Sequence, residues 1–288
     1  MTQTAISDDM KNFLSPEYVD LSSLPPPKIV EELSFGDIFD ALEADFKIRN
    51  PTYDALLESD PVIIALEVAA YREVLLRQRI NEAAKANMLA YAMGTDLDNL
   101  VAFYGVERQS DEPDDRLRYR AQLALEGLTT AGSEKAYLFH ALSASPQVKS
   151  ASVQSLEPGQ VQITILSDED ITDNVAAYVS AEDKRPLTDE VIVQNAEIVE
   201  YTIHAKVHLY FSPSMSITEQ ECRDALAAYI AKQKTIGNIV ARSGIYDALH
   251  AEGVRKVELL SPAEDITTTK QQAPECDNIN LEFIIDNS

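Results

Sequence analysis

The chain has 288 residues, 45% of them apolar and 25% charged, with 48 acidic side chains against 24 basic ones and a net charge of -24. Length and composition describe a globular protein with room for two or three cores and exclude a largely disordered chain. The acidic balance argues against partners held through phosphates, nucleic acid and anionic membrane surfaces alike, because these require clustered Lys and Arg.

Residues 1–34 are polar and contain Pro25-Pro26-Pro27, the pattern of an extended arm. Their MTQTAISDDM start has neither the basic nor the apolar region of a secretory signal, and no window of the chain holds the ~18 apolar residues of a membrane span. Phe35, Ile38, Phe39, Leu42 and Phe46 then recur at helical spacing, and Asn50-Pro51 ends that helix.

The strongest helical signal covers 61–93, with Pro61 near its start and Gly94 just past its end. Such a helix spans roughly 46 Å. One line of it reads Ile64, Val68, Tyr71, Leu75, Gln78, Glu82, Ala86, Leu89 and Met93, apolar at both ends and polar in the middle. Its charge is also unusual for this chain: residues 63–93 hold Glu67, Glu73 and Glu82 against Arg72, Arg77, Arg79 and Lys85. A long helix without an acidic excess predicts a bundle element that is either partner-facing or buried.

GTDLDNLVAFYGVERQ (94–109) follows. Asp96 and Asp98 could form a DxD metal pair. The alternative is a joint: Gly94 stops the long helix, Thr95 caps the next with Asp98 three residues on, and Gly105 closes it. The cap accounts for more of the residues, so these four positions are expected to build a helix joint. Arg108 has no partner assignable from sequence. Residues 111–128 read as a helix whose Asp111, Glu112, Asp114 and Asp115 suit its positive end better than an alternating calcium loop. Ser133 caps a further helix to about 145.

The pattern changes near 147. Two alternating runs flank Glu157-Pro158-Gly159, a hairpin signature, and a helix over DITDNVAAYVSAED comes next. Residues 189–211 read as one or two strands, 216–234 and 241–253 as helices, and VRKVELLSP and NINLEFIID as strands around a polar insert. The expected architecture is a multidomain α+β protein: an arm (1–34), a helical domain (35–146) and two small α+β, ferredoxin-like sandwich domains (147–197 and 198–288).

No polar cluster demands chemistry. His204 and His208 alternate along a strand and lie ~13 Å apart, too far to share a zinc ion. His140 and His250 have no nucleophile beside them, Cys222 and Cys276 do not form a metal or redox spacing, and neither HExxH nor a phosphate loop occurs. No catalytic residue, metal or cofactor is expected.

LRQRINEAAKANMLAYAMGTDLDNLVAFYGVER (76–108) resembles the baseplate J-like family of contractile phage tails and R-type tailocins. LALEGLTTAGSEKAYLFHALSAS (123–145), YVSAEDKRPLTDEVIV (178–193) and IVARSGIYDALHAEGVRKVELLSPAEDI (239–266) extend the likeness in order. The chain departs from it in lacking a glycine after Ser167. The resemblance implies a wedge protein, two copies joining one tail protein I-like partner through a helical bundle. Six wedges close a ring around the hub, under the sheath-initiating layer, and the ring widens to trigger sheath contraction. Assembly in the bacterial cytoplasm, then residence in the baseplate, is implied with it. On this view Tyr71, Leu75, Arg79, Leu89 and Met93 are the expected within-wedge contacts, and 200–266 joins neighbouring wedges. A tail-associated hydrolase using a carboxylate pair, or an unrelated adaptor, are the competing readings.

Overall fold

The structure is a computed structural model that describes residues 21, 31–53, 57, 59–128, 132–211 and 215–286. Most of the expected arm (1–34) lies outside these residues. They form two compact units. One holds the described residues up to Arg108 together with Pro113–Arg118; the other holds Gln109–Glu112 and the described residues from Tyr119 onward.

The first unit is helical. Helix α1 (Phe35–Arg49) starts where Ser34 Oγ accepts the Asp37 N–H at 3.3 Å and stops at Asn50, ahead of Pro51. Helix α2 (Pro61–Ala86) starts at Asp60, whose carboxylate accepts the Val62 N–H at 2.8 Å and the Tyr53 hydroxyl at 2.6 Å. Pro61 costs nothing there because its missing N–H would have no helical partner. Helix α1 packs along α2, whose buried residues are Ile63 and Ala70. The Asn81 amide holds the backbone of Glu31 on both sides, at 2.9 and 3.1 Å.

The expected helix over 61–93 ends seven residues early. Asn87 caps it, its side-chain amide donating to the Ala83 carbonyl at 2.8 Å, and residues 87–91 run as turns. An Asn amide that takes a helical carbonyl competes with the next turn's N–H and favours termination. Helix α3 (Gly94–Ala102) follows, burying Leu97 and Val101. Helix α4 (Asp114–Gly127) begins in the first unit and ends in the second.

The second unit contains two α+β modules. In the central one, β1 (Ser150–Ser155) and β2 (Gln160–Leu166) form a hairpin closed by Gly159 at φ 82°. Helix α6 (Thr172–Val179) crosses over to β3 (Glu190–Asn195), parallel to β2. Helix α5 (Glu134–Ala144) is capped by Ser133 Oγ, which accepts the Ala136 N–H at 3.1 Å. Leu123 of α4 and Tyr137, Ala141 and Leu142 of α5 pack with Ile163, Ile165, Val175 and Val179 into one core. The structure therefore gives α5 to this sheet, and the helical block expected over 35–146 is not one unit. Helices that cover a sheet lose more apolar area to it than to one another, and α5 is apolar nearly all round.

The sheet's other face is amide-rich. Gln162 bonds Gln154 on one side and Gln194 on the other, the latter at 2.9 Å, and Gln194 reaches Thr164 at 3.3 Å. Loops of the last module cap this ladder: Gln271 donates to Gln162 at 2.8 Å, Ser152 to the Lys270 carbonyl, and the Ile236 N–H to Ser150 at 3.2 Å.

The last module is built on β4 (Glu197–Tyr210), the central strand of the order β6-β4-β8. Strand β6 (Val254–Ser261) pairs with it antiparallel and β8 (Gln272–Asp286) parallel. Helices α7 (Met215–Gln233) and α8 (Arg242–Leu249) carry Cys222, Leu226, Ile245 and Leu249 onto Ile203, Ala205, Val207 and Leu209. Two short strands, β5 (Ile239–Val240) and β7 (Ile266–Thr267), complete it. The polar insert expected before NINLEFIID is strand from Gln272 onward, because β4 is long enough to pair with all of it.

His140 of α5 is buried, and burial, with Lys184 nearby and Asp183 opposing it, holds its imidazole pKa below the ordinary 6.5. The unfolded chain then takes up this proton first, so its contribution to stability is present above the unfolded value and lost as pH falls toward the folded one. Thermal melts should show the second unit losing stability as pH drops below about 6.5, and His140→Leu should flatten that slope.

Candidate functional site

Three backbone segments meet at Arg108, and its guanidinium ties them together. The chain leaves the turns after α2 at Gly94, whose φ of 54° lies in the left-handed region. The Gly94 N–H donates to Asp114 Oδ2 at 2.9 Å, at the first residue of α4. Arg108 Nε donates to Asp98 Oδ1 on α3 at 2.7 Å, and Nη2 donates to Asp114 Oδ1 at 2.7 Å and to the Gly94 carbonyl at 3.3 Å. The fork thus joins α3, α4 and the entry to α3 in one closed circuit. The Gly94 amide first, with Arg108 adding to it against some burial, holds the Asp114 carboxyl below the usual carboxylate range. Charge-assisted bonds of this length are among the stronger ones in proteins.

A second arginine works beside it. Arg118 donates to the carbonyls of Leu89 at 2.7 Å and Ala92 at 2.8 Å, and pairs with Asp115. These carbonyls would accept the N–H groups four residues on if α2 continued. The guanidinium takes them instead and stabilises the turns. Nothing local in the sequence marks Arg118 for this role.

The expected cap is corrected by this geometry. Thr95 is not the N-cap; α3 begins at Gly94, two residues ahead of the start that a Thr95 cap implies, Met93 is the capping position, and its side chain makes no capping hydrogen bond. Asp98 does not reach back to a cap because Arg108 holds it. Gly105, at φ 72°, sits in the turn that follows α3. Asp98 is engaged by Arg108, and among the described residues no three His, Cys, Asp or Glu side chains gather as metal ligands would. On β4, His204 meets Glu282 at 2.9 Å and His208 lies 3.9 Å from Glu258, each histidine beside its own carboxylate.

The second feature is the uncovered face of α2. Ile64, Val68, Tyr71, Leu75, Leu76 and Ile80 are 40% to 67% exposed. Four of them fall at i, i+4, i+7 and i+11, one stripe, while Leu76 and Ile80, four residues apart, lie on another side of the helix. Among the residues expected as contacts, Tyr71 and Leu75 lie in the stripe, and Arg79 lies near it, paired with Glu82 at 3.5 Å. Leu89 and Met93 lie beyond the end of α2, so they do not continue its line; Leu89 is half-buried and Met93 is exposed. A groove of about 490 Å³ between Phe35, Glu67, Val68, Tyr71 and Arg72 borders the stripe. Single exposed apolar residues are ordinary, but a contiguous patch of this kind marks an interaction surface.

Two substitutions separate a joint from an acid pair. Arg108→Ala should destabilise the first unit by about 2 kcal/mol, since it strips two carboxylates of their charged donor. Asp96→Ala should stay within about 0.5 kcal/mol. Hydrogen exchange across 87–108 resolves both, and equal effects would contradict the assignment.

Comparison with known proteins covers most of the chain. Residues 58–115 match the baseplate J-like N-terminal domain, 129–195 the baseplate J-like central domain and 201–282 the baseplate J-like protein C-terminal domain. The chain is 39% identical over 287 residues to baseplate protein J of Escherichia phage P2, an alignment that covers 90% of this chain and 95% of the phage protein. A chain in the six-fold symmetrised baseplate of the anti-feeding prophage aligns at a TM-score of 0.43 with 14% identity, over 60% of this chain and 43% of that one. Three domain matches in order, with a relative this similar over nearly its full length, place the chain in the baseplate J-like protein family.

Proposed function

We propose that this chain is a structural wedge subunit of a contractile-tail baseplate, and that the exposed face of α2 is its bundle contact within the wedge. The observation that carries the reading is that face: an apolar stripe, without acidic excess, on a chain of net charge -24. Its likeness to baseplate protein J of phage P2 supports the same role.

Two copies of the chain combine with one tail protein I-like partner. Tyr71, Leu75 and Arg79 lie in the bundle, and Leu89 and Met93 contact it from the turns after α2. Each fully covered apolar side chain contributes roughly 1.5–3 kcal/mol before the cost of association is subtracted. The Arg108 circuit fixes how α3 and α4 leave the turns that follow this helix. Six wedges form a ring around the hub and below the layer that starts the sheath, and residues 200–266 meet neighbouring wedges. The ring widens by repacking interfaces between two arrangements, with no bond made or broken. Assembly takes place in the bacterial cytoplasm, without nucleic acid or membrane insertion.

Co-expression with the tail protein I-like partner should yield a complex of two copies to one. Tyr71→Glu with Leu75→Glu should abolish co-purification while leaving the melting temperature within about 2 °C, because both side chains are already in water. A chain that stays monomeric and ignores the partner overturns the reading.

A further inference from the structure

Residues 180–189 connect α6 to β3, and they are not a slack connection. The Lys184 N–H donates to the Ala181 carbonyl at 3.0 Å and the Asp189 N–H to the Pro186 carbonyl at 3.2 Å, so the segment runs as two consecutive turns. Arg185 turns inward and bridges them. Its Nε donates to the Ser180 carbonyl at 2.9 Å and its Nη1 to the Asp189 carbonyl at 2.7 Å. From α5, the hydroxyl of buried Tyr137 donates to the Asp189 carboxylate at 2.7 Å. Gly132 backs the second turn closely: a Cβ there would stand 2.8 Å from the Pro186 ring. Leu187, the second residue of that turn, is 92% exposed. Lone exposed leucines are ordinary. This one stands on a loop braced from beneath by a guanidinium and a tyrosine, so the entropy of fixing it is already lost in the fold and binding need not lose it again.

The charges around the tip are sorted. Both cations of the loop are engaged within the module, Arg185 on its carbonyls and Lys184 over the Tyr178 ring at 3.2 Å. Glu182 and Asp183 stay exposed on the first turn. The β1–β2 hairpin tip adjoins the second turn, its Gly159 carbonyl accepting the Glu190 N–H at 2.7 Å, and it adds exposed Leu156 and Glu157. The result is an apolar knob among carboxylates, and its complement is an apolar socket rimmed by Lys and Arg. The grooves of this chain are not of that kind. The one beside Tyr210, Met215 and Ile217 is lined by Glu221 and Glu252, and the one on α2 sets Glu67 beside Arg72.

We propose that Leu187 is an anchor that inserts into an apolar, basic-rimmed socket on a different protein of the same particle. The braced loop presents it, Glu182, Asp183 and Glu157 meet the rim, and the central module is held to that protein independently of α2. This rests on the reading of the chain as a baseplate subunit.

The test uses assembled tails whose full-length chain carries a photo-cross-linking phenylalanine analogue in place of Leu187. Irradiation should join the chain to another tail protein, with a yield several-fold above that from the same analogue at exposed Asp173 of α6. Adding Glu182→Lys and Asp183→Lys should lower that yield several-fold. The protein so identified, once purified, should bind the full chain. Leu187→Asp should weaken that binding about tenfold or more while leaving the melting temperature within about 2 °C, because the side chain is already in water. Cross-links only between copies of this chain, a yield no higher than at Asp173, a yield indifferent to the charge reversal, or an affinity indifferent to Leu187→Asp overturns the proposal. The Leu187→Asp chain should keep the tail protein I-like partner that Tyr71→Glu with Leu75→Glu loses, so either reading can fail without the other.

Discussion

A single guanidinium sets the geometry of the helical unit after α2. Arg108 holds Asp98 of α3, Asp114 of α4 and the carbonyl of Gly94 together, and Asp114 in turn fixes the Gly94 amide. The arginine fork suits this task because its donors are planar and divergent, so one side chain serves several acceptors at defined angles. A lysine would offer a point charge and lose the angle. The glycine at the crossing permits the left-handed turn, and the three polar groups around it make that turn the stable one. Beyond this circuit, Arg118 satisfies the carbonyls that the end of α2 leaves open.

The charge distribution gives the exposed helix its meaning. A chain of net charge -24 repels its own copies, and that repulsion is weakest where no acidic excess stands. The apolar stripe of α2 lies on that stretch. Association through it gains apolar burial and avoids the worst of the electrostatic cost, whereas most other surfaces of the chain would meet like charge. The polar residues along the same helix, Gln78 and Glu82 among them, limit how far the dry contact extends.

What the sequence made legible were features with local causes. Asn50-Pro51, Ser133 and the Pro158-Gly159 turn each act through their own backbone, and the elements beside them lie where their residue types put them. The end of α2 was not legible, because no glycine or proline stands at Asn87 and the carbonyls beyond it are taken by an arginine from another helix. The Thr95 cap failed for a related reason: Thr95 and Asp98 fit a local motif, but a distant charge claimed Asp98 first. The same holds for α5, which reads as one more helix in a helical block until the central sheet offers a larger apolar surface. The stripe itself was visible from spacing alone, since periodicity shows an apolar face whether or not anything covers it.

The amide ladder on the central sheet separates the fates of the two α+β modules. Glutamine, serine and backbone groups meet across this seam, and water can replace each of their bonds at little net cost. Neither hydrophobic core crosses it. Damage on one side, such as a cavity beneath Ile163, therefore spreads no dehydration penalty to the other, and the seam works as a bulkhead. Each module can be strained, loosened or replaced in evolution while its neighbour keeps its own interior dry.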